Sequence, residues 1–169
     1  MKMILITEDI SSPIDEGIKK YSYKLAQFLN LKSNGKIYTH VFNTSISNQI
    51  QLPRNRLFLS FYFISDLSKQ KGSVLYVPNS SSTFASFLRL KLIQLFTSKN
   101  TVLISIQKRD HTYLQRKCIQ YFLKPNLIYV LSEREKTYYQ SLGIKTKITS
   151  VGVDIKKYKP VDNLQKLKL

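Results

Sequence analysis

At 169 residues, 43% of them apolar, the chain has the length of one domain and enough apolar material for a core, while five Gly and five Pro exclude a fibrous or low-complexity chain. Charge is lopsided: 27 Lys and Arg face 10 Asp and Glu, a net of +17. That points to an anionic partner, whether nucleic acid, a phosphorylated ligand or an acidic membrane surface, unless it only reflects the Lys-rich composition of an AT-biased genome.

Lys2 to Thr7 is a short apolar run, the pattern of a strand buried on both faces. Glu8 and Asp9 interrupt it too early for a signal peptide. A loop follows, closing at Gly17; then Ile18, Tyr21, Leu25, Phe28 and Leu29 recur at helical spacing with Lys19, Lys20, Lys24 and Gln27 opposite. Ile37 to Phe42 reads as a second strand. Leu57 to Leu67 is open between strand, which its aromatics suit, and helix, which its length suits; we read a helix. Ser73 to Val77 is a strand ending at Pro78-Asn79. Ser82 to Phe96 is a helix, apolar nearly all round except Arg89, Lys91 and Gln94. Thr101 to Ile106 is a strand, and Thr112 to Leu123 a helix halted by Pro125. Leu127 to Leu131 is the next strand. Ser132-Glu133-Arg134-Glu135 reads as a capping box opening a helix that runs to Leu142 and closes at Gly143. Lys147 to Val151 is the last strand.

Strands alternating with helices imply an α/β fold, a Rossmann-like doubly wound parallel sheet of about six strands with helices on both faces. The most apolar stretches, LFLSFYFI and FASFLRLKLIQLF, are too short or too charged to cross a bilayer, which takes about 20 apolar residues. The lone Cys118 excludes an internal disulfide framework and a cysteine zinc cluster, and fits a reducing cytoplasm.

In open α/β sheets ligands bind beyond the carboxyl ends of the strands, so the loops there are where chemistry is expected. Neither G-x-G-x-x-G nor G-x-x-x-x-G-K-[ST] occurs, which disfavours a dinucleotide site of the usual kind and excludes a P-loop. The loop QKRDH, Gln107 to His111, gathers two cations, an acid and an imidazole at one strand end. It either binds phosphate or moves a proton, or it is a solvated loop whose Asp110 caps the next helix. His40 lies in a strand and reads as structural. The helix over Ser82 to Phe96, with Arg89 and Lys91, either covers the sheet or lies on an anionic membrane, and the sheet's need for cover favours the first.

Two stretches carry a family resemblance. MILITEDISSPIDEGIKKYSYKLAQFL is an apolar strand, a loop with Pro and Gly, and an amphipathic helix. LIYVLSEREKTYYQSLGIKTKITSVGVDIKKYKP is a strand, S-E, a helix, a strand and GVD followed by Y-x-P. In this order they resemble the N-terminal domain of family 4 retaining glycosyltransferases, which have the GT-B fold. SVLYVPN and TVLISIQ fit the middle strands, so the resemblance covers essentially the whole chain. It implies a two-domain enzyme whose N-terminal domain binds the acceptor and whose C-terminal domain binds a nucleotide-sugar donor. It puts residues 1–155 in the acceptor domain and 156–169 at the start of the interdomain linker, with the donor domain and its catalytic motif not in this sequence.

By position the resemblance marks Gly17, with Glu16 beside it, as the glycine of the loop approaching the donor phosphate and acceptor. Gln107 falls where the family commonly has a cleft-lining histidine. That departure leaves three options: Gln107 supplies the hydrogen bond, His111 reaches in, or the role is absent. The expected catalytic residues are therefore Gln107 and His111, and the expected substrate-binding residues Gly17, Glu16, Asn79, Lys108, Arg109, Glu133 and Asp154, with no metal. No cofactor is expected on this domain alone. The expected partners are a sugar or lipid-phosphate acceptor, a donor-binding domain or subunit, and an anionic membrane face, with the protein cytoplasmic or peripheral to the inner face of the membrane. The alternative is a non-catalytic basic module holding nucleic acid or a protein. The chain lacks aromatic RNA-binding motifs and basic recognition helices, which disfavours nucleic acid.

Overall fold

The computed structural model of the chain describes residues 3–149, apart from 15, 16, 34, 59, 80 and 81. In chain order the elements are β1 (Met3–Thr7), α1 (Gly17–Ser33), β2 (Ile37–Thr39), β3 (Gln49–Gln51), α2 (Phe61–Lys69), β4 (Ser73–Val77), α3 (Phe84–Thr97), β5 (Thr101–Ser105), α4 (Tyr113–Tyr121), β6 (Leu127–Val130), α5 (Glu133–Ser141) and β7 (Thr146–Ile148). The strands form one sheet in the order β3-β2-β1-β4-β5-β6-β7, every pair parallel. This is the Rossmann-like doubly wound fold, with seven strands where the sequence pattern gave about six.

Side chains alternate across each strand. Ile4, Ile6, Val74, Tyr76, Leu103, Ile128 and Val130 join one core with Phe63 and Leu67 of α2, Phe87, Leu90 and Ile93 of α3, Ile119 of α4 and Tyr139 of α5. Leu5, Ile37, Leu75, Val77 and Ile104 join a second with Ala26 and Leu29 of α1. Right-handed crossovers explain the split. The step from β1 to β2 runs one way across the sheet, and those from β3 onward through α2 to α5 run the other, so α1 takes the opposite face.

Polar caps set the helix starts. The side chains of Ser60, Thr83, Thr112 and Ser132 accept the N–H of Phe63, Ser86, Gln115 and Glu135. The reciprocal capping box expected at Ser132 forms instead at Thr112, where the Gln115 side chain returns to the Thr112 N–H. Glu135 turns away, accepting the N–H of Lys108 at 3.0 Å and of Leu131 at 3.2 Å. Thr112, not Asp110, caps α4. The second strand stops at Thr39 rather than Phe42, because a parallel partner runs beside it for only three residues, Ile37↔Gln49 to Thr39↔Gln51. The last strand begins a residue early, at Thr146, and stops at Ile148, short of the expected end at Val151, which lies outside the described residues. Gly143 closes α5 at φ +69°, a backbone setting that favours glycine.

Candidate functional site

β1 and β4 are neighbours whose chains leave in opposite directions, β1 towards β2 and β4 towards β5. That is the switch point of a doubly wound sheet, where departing loops diverge and leave a crevice. A cleft of about 890 Å³ opens there, bounded by Glu8 after β1, Arg56 before α2, the first turn of α3 from Thr83 to Ser86, Arg89, and Arg109 to His111 after β5. A first helical turn leaves N–H groups without intrahelical partners and carries positive potential. Arg56 and Arg109 add two guanidinium groups that meet no carboxylate among the described residues.

One wall is an interlocked network. Arg89 Nη1 donates to Glu8 Oε1 at 2.9 Å and to the Tyr76 hydroxyl at 2.6 Å, and that hydroxyl donates to the same Glu8 oxygen at 2.9 Å. Arg89 Nε donates to the Arg56 carbonyl at 2.8 Å, and the guanidinium lies 4.0 Å above the Phe58 ring. Burial first, and then the Glu8 charge, push the Tyr76 phenol well above its ordinary pKa, so it remains a donor. Phe58 is buried at φ +58°, a left-handed setting in which a bulky side chain is an outlier. Holding it there costs on the order of 1–3 kcal/mol, and the ring it places supports Arg89. These residues link β1, the segment before α2, β4 and α3.

The opposite wall is the loop after β5. Lys108 Nζ lies 2.8 Å from Asp110 and 4.3 Å from the Tyr138 ring centre, and its hydrogen bond, then its positive charge, hold the Asp110 carboxyl below the ordinary range. His111 is 4% exposed, with Nδ1 3.0 Å from the Tyr138 hydroxyl and its ring edge-on to Phe87. Its Nε2 is buried and makes no hydrogen bond of good geometry among the described residues, although the Ser82 backbone is near enough to favour the charged form. Burial outweighs that and holds the ring's pKa below the ordinary histidine value. His111 thus stands in the wall as a neutral group with Nδ1 engaged and Nε2 enclosed, not as an exposed proton carrier.

Of the residues expected from sequence, the cleft brings together Arg109 and His111. The Gln107 side chain is exposed, and its carbonyl ties the two loops by accepting the Ser82 N–H at 2.9 Å. Lys108 is committed to Asp110. Asn79 is half-buried with a side-chain oxygen that has no partner among the described residues, and it is not among the described residues that line the cleft. Glu133 is exposed and pairs with Lys136. Gly17 opens α1 with nothing within 4 Å of where a Cβ would sit, so no close contact within the described chain demands glycine there. Glu16 and Asp154 lie outside the described residues, as does the GVD…Y-x-P segment.

Sequence reasoning missed Glu8, Arg56 and Arg89 as site residues. Arg89 is not on an outward face of α3: its side chain is 14% exposed and turned to Glu8. The available signals were that Glu8 directly follows the first strand, and that Arg89, with Lys91 and Gln94, interrupts an otherwise apolar helix. Among the described residues no helix is long and apolar enough to cross a membrane. No family model matches the chain, and no curated protein matches it.

Proposed function

We propose that this chain is the acceptor-binding N-terminal half of a GT-B retaining glycosyltransferase, its cleft taking the sugar or lipid-phosphate acceptor of a transfer from a nucleotide-sugar. The observation that carries the reading is the roughly 890 Å³ cleft at the β1–β4 switch point. It is the size of a small-ligand site and its uncompensated charges are cationic. The family resemblance of the strand, loop and helix over residues 3–29 supplies the rest.

Transfer needs both substrates positioned and the departing diphosphate stabilised. The groups in this cleft are suited to the acceptor's share of that work. The purified chain should therefore bind sugar phosphates saturably, bind nucleotide sugars no better than inorganic phosphate, and transfer no sugar alone. Isothermal titration and a transfer assay with mixed nucleotide sugars check this. Turnover by the isolated chain at an enzymatic rate, or a marked preference for a nucleotide sugar, would sink the reading.

A further inference from the structure

Two carboxylates line the cleft, and they differ in kind. Asp110 is exposed and tied to Lys108. Glu8 is fixed from one side only: Oε1 accepts both Arg89 and Tyr76, while Oε2 has no partner among the described residues. Arg89 cannot swing away, because its Nε is bound to the Arg56 carbonyl and its plane rests on Phe58. One carboxylate oxygen is thus held in a set position on the wall of a cleft that also carries Arg56 and Arg109, two arginines that meet no carboxylate among the described residues. A carboxylate only accepts hydrogen bonds, so it selects a hydroxyl or an N–H on the ligand, while Arg56 and Arg109 select an anion.

We infer that Glu8 is the hydroxyl-recognising residue of this cleft and that its ligand is a sugar phosphate, with a sugar hydroxyl donating to Glu8 Oε2 and the phosphate facing Arg109 and Arg56. This rests on the acceptor-site reading above and names the acceptor's class. Arg89, Tyr76 and Phe58 are positioning residues: they act through Glu8.

The test is titration followed by backbone amide shifts, with inorganic phosphate, methyl glucoside and glucose 6-phosphate as probes. Glucose 6-phosphate should bind about tenfold more tightly than phosphate, the worth of an added hydrogen bond to a charged group. Glu8→Gln should bring it down to the phosphate level and leave phosphate binding in place, which also shows that the cleft is intact. A variant that keeps the tenfold preference overturns the assignment, and so does one that loses phosphate binding equally, since that is a merely structural role. In the wild-type chain glucose 6-phosphate should shift the Glu8 and Asp9 amides while phosphate leaves them still; equal shifts from both overturn the assignment without any variant. Wild-type chain that binds none of the probes overturns the acceptor-site reading as well. Phosphatidylinositol vesicles carry the same chemistry on a lipid. Retention on them that Glu8→Gln weakens assigns the ligand to a headgroup, and indifference to them beside glucose 6-phosphate binding assigns it to a soluble sugar phosphate.

Discussion

The two walls of the cleft carry similar charges and hold them differently. On the Glu8 side, one carboxylate, one guanidinium and one phenol share three hydrogen bonds over a buried ring. On the side of the loop after β5, Lys108 and Asp110 meet with Asp110 82% exposed, and Arg109 is exposed too. A charge fixed by several partners loses little freedom when a ligand arrives, whereas an exposed one must be ordered and desolvated. The first wall is suited to selecting a ligand, the second to attracting one.

The sharpest way to break the comparison is Arg89→Met. It keeps a long apolar stem over Phe58 but leaves Glu8 with Tyr76 as its remaining partner. Losing one member of a largely buried ion pair should cost about 2–4 kcal/mol, read from urea unfolding. A loss no larger than a surface pair gives would mean that this wall is not preorganised.

A smaller effect tests whether His111 belongs with the rigid wall or the loose one. Its folded pKa lies below the ordinary value of about 6.5. As pH falls through that value the unfolded chain takes up a proton that the folded ring still refuses. The stability His111 allows is therefore intact at neutral pH and lost on acidification, until the folded ring titrates as well. His111→Gln should flatten the dependence of the unfolding midpoint between about pH 7.5 and 5.5. Parallel slopes in the two proteins would place the acid sensitivity elsewhere.

The fold was legible because buried parallel strands are apolar runs. Ser73–Val77 is buried at every position, and Met3–Thr7 nearly so. β3 was not legible: Gln49-Ile50-Gln51 sits at the sheet edge, only partly buried, and is a strand because β2 pairs with it. Strand-end loops gave the right neighbourhood for the site, which caught Arg109 and His111. They could not show that Glu8 meets Arg89, 81 residues away, since that pairing depends on β1 lying beside β4, the strand that leads into α3. In α3 an apolar pattern nearly all round left no polar face from which Arg89's direction could be read. Lys108 and Glu133 were chosen for charge at a strand end, and each has a partner nearby in sequence.

The smallest expected effect concerns Lys108, and it separates charge from placement. Lys108 lies in the same loop as Arg109, yet its ammonium is held by Asp110 and rests on Tyr138. Exposed pairs of this kind contribute little to stability, because two side chains are ordered for a Coulomb gain that water and salt screen. Lys108→Met should leave the urea midpoint where it was. It also frees Asp110, placing an unpaired negative charge at the rim of the cleft. Phosphate binding should then weaken a few-fold at low salt and return towards the wild-type value at about 0.5 M salt, where charges a Debye length apart no longer interact. Loss that persists at high salt would mean that Lys108 touches the anion itself, and the loose wall would then have a fixed member of its own.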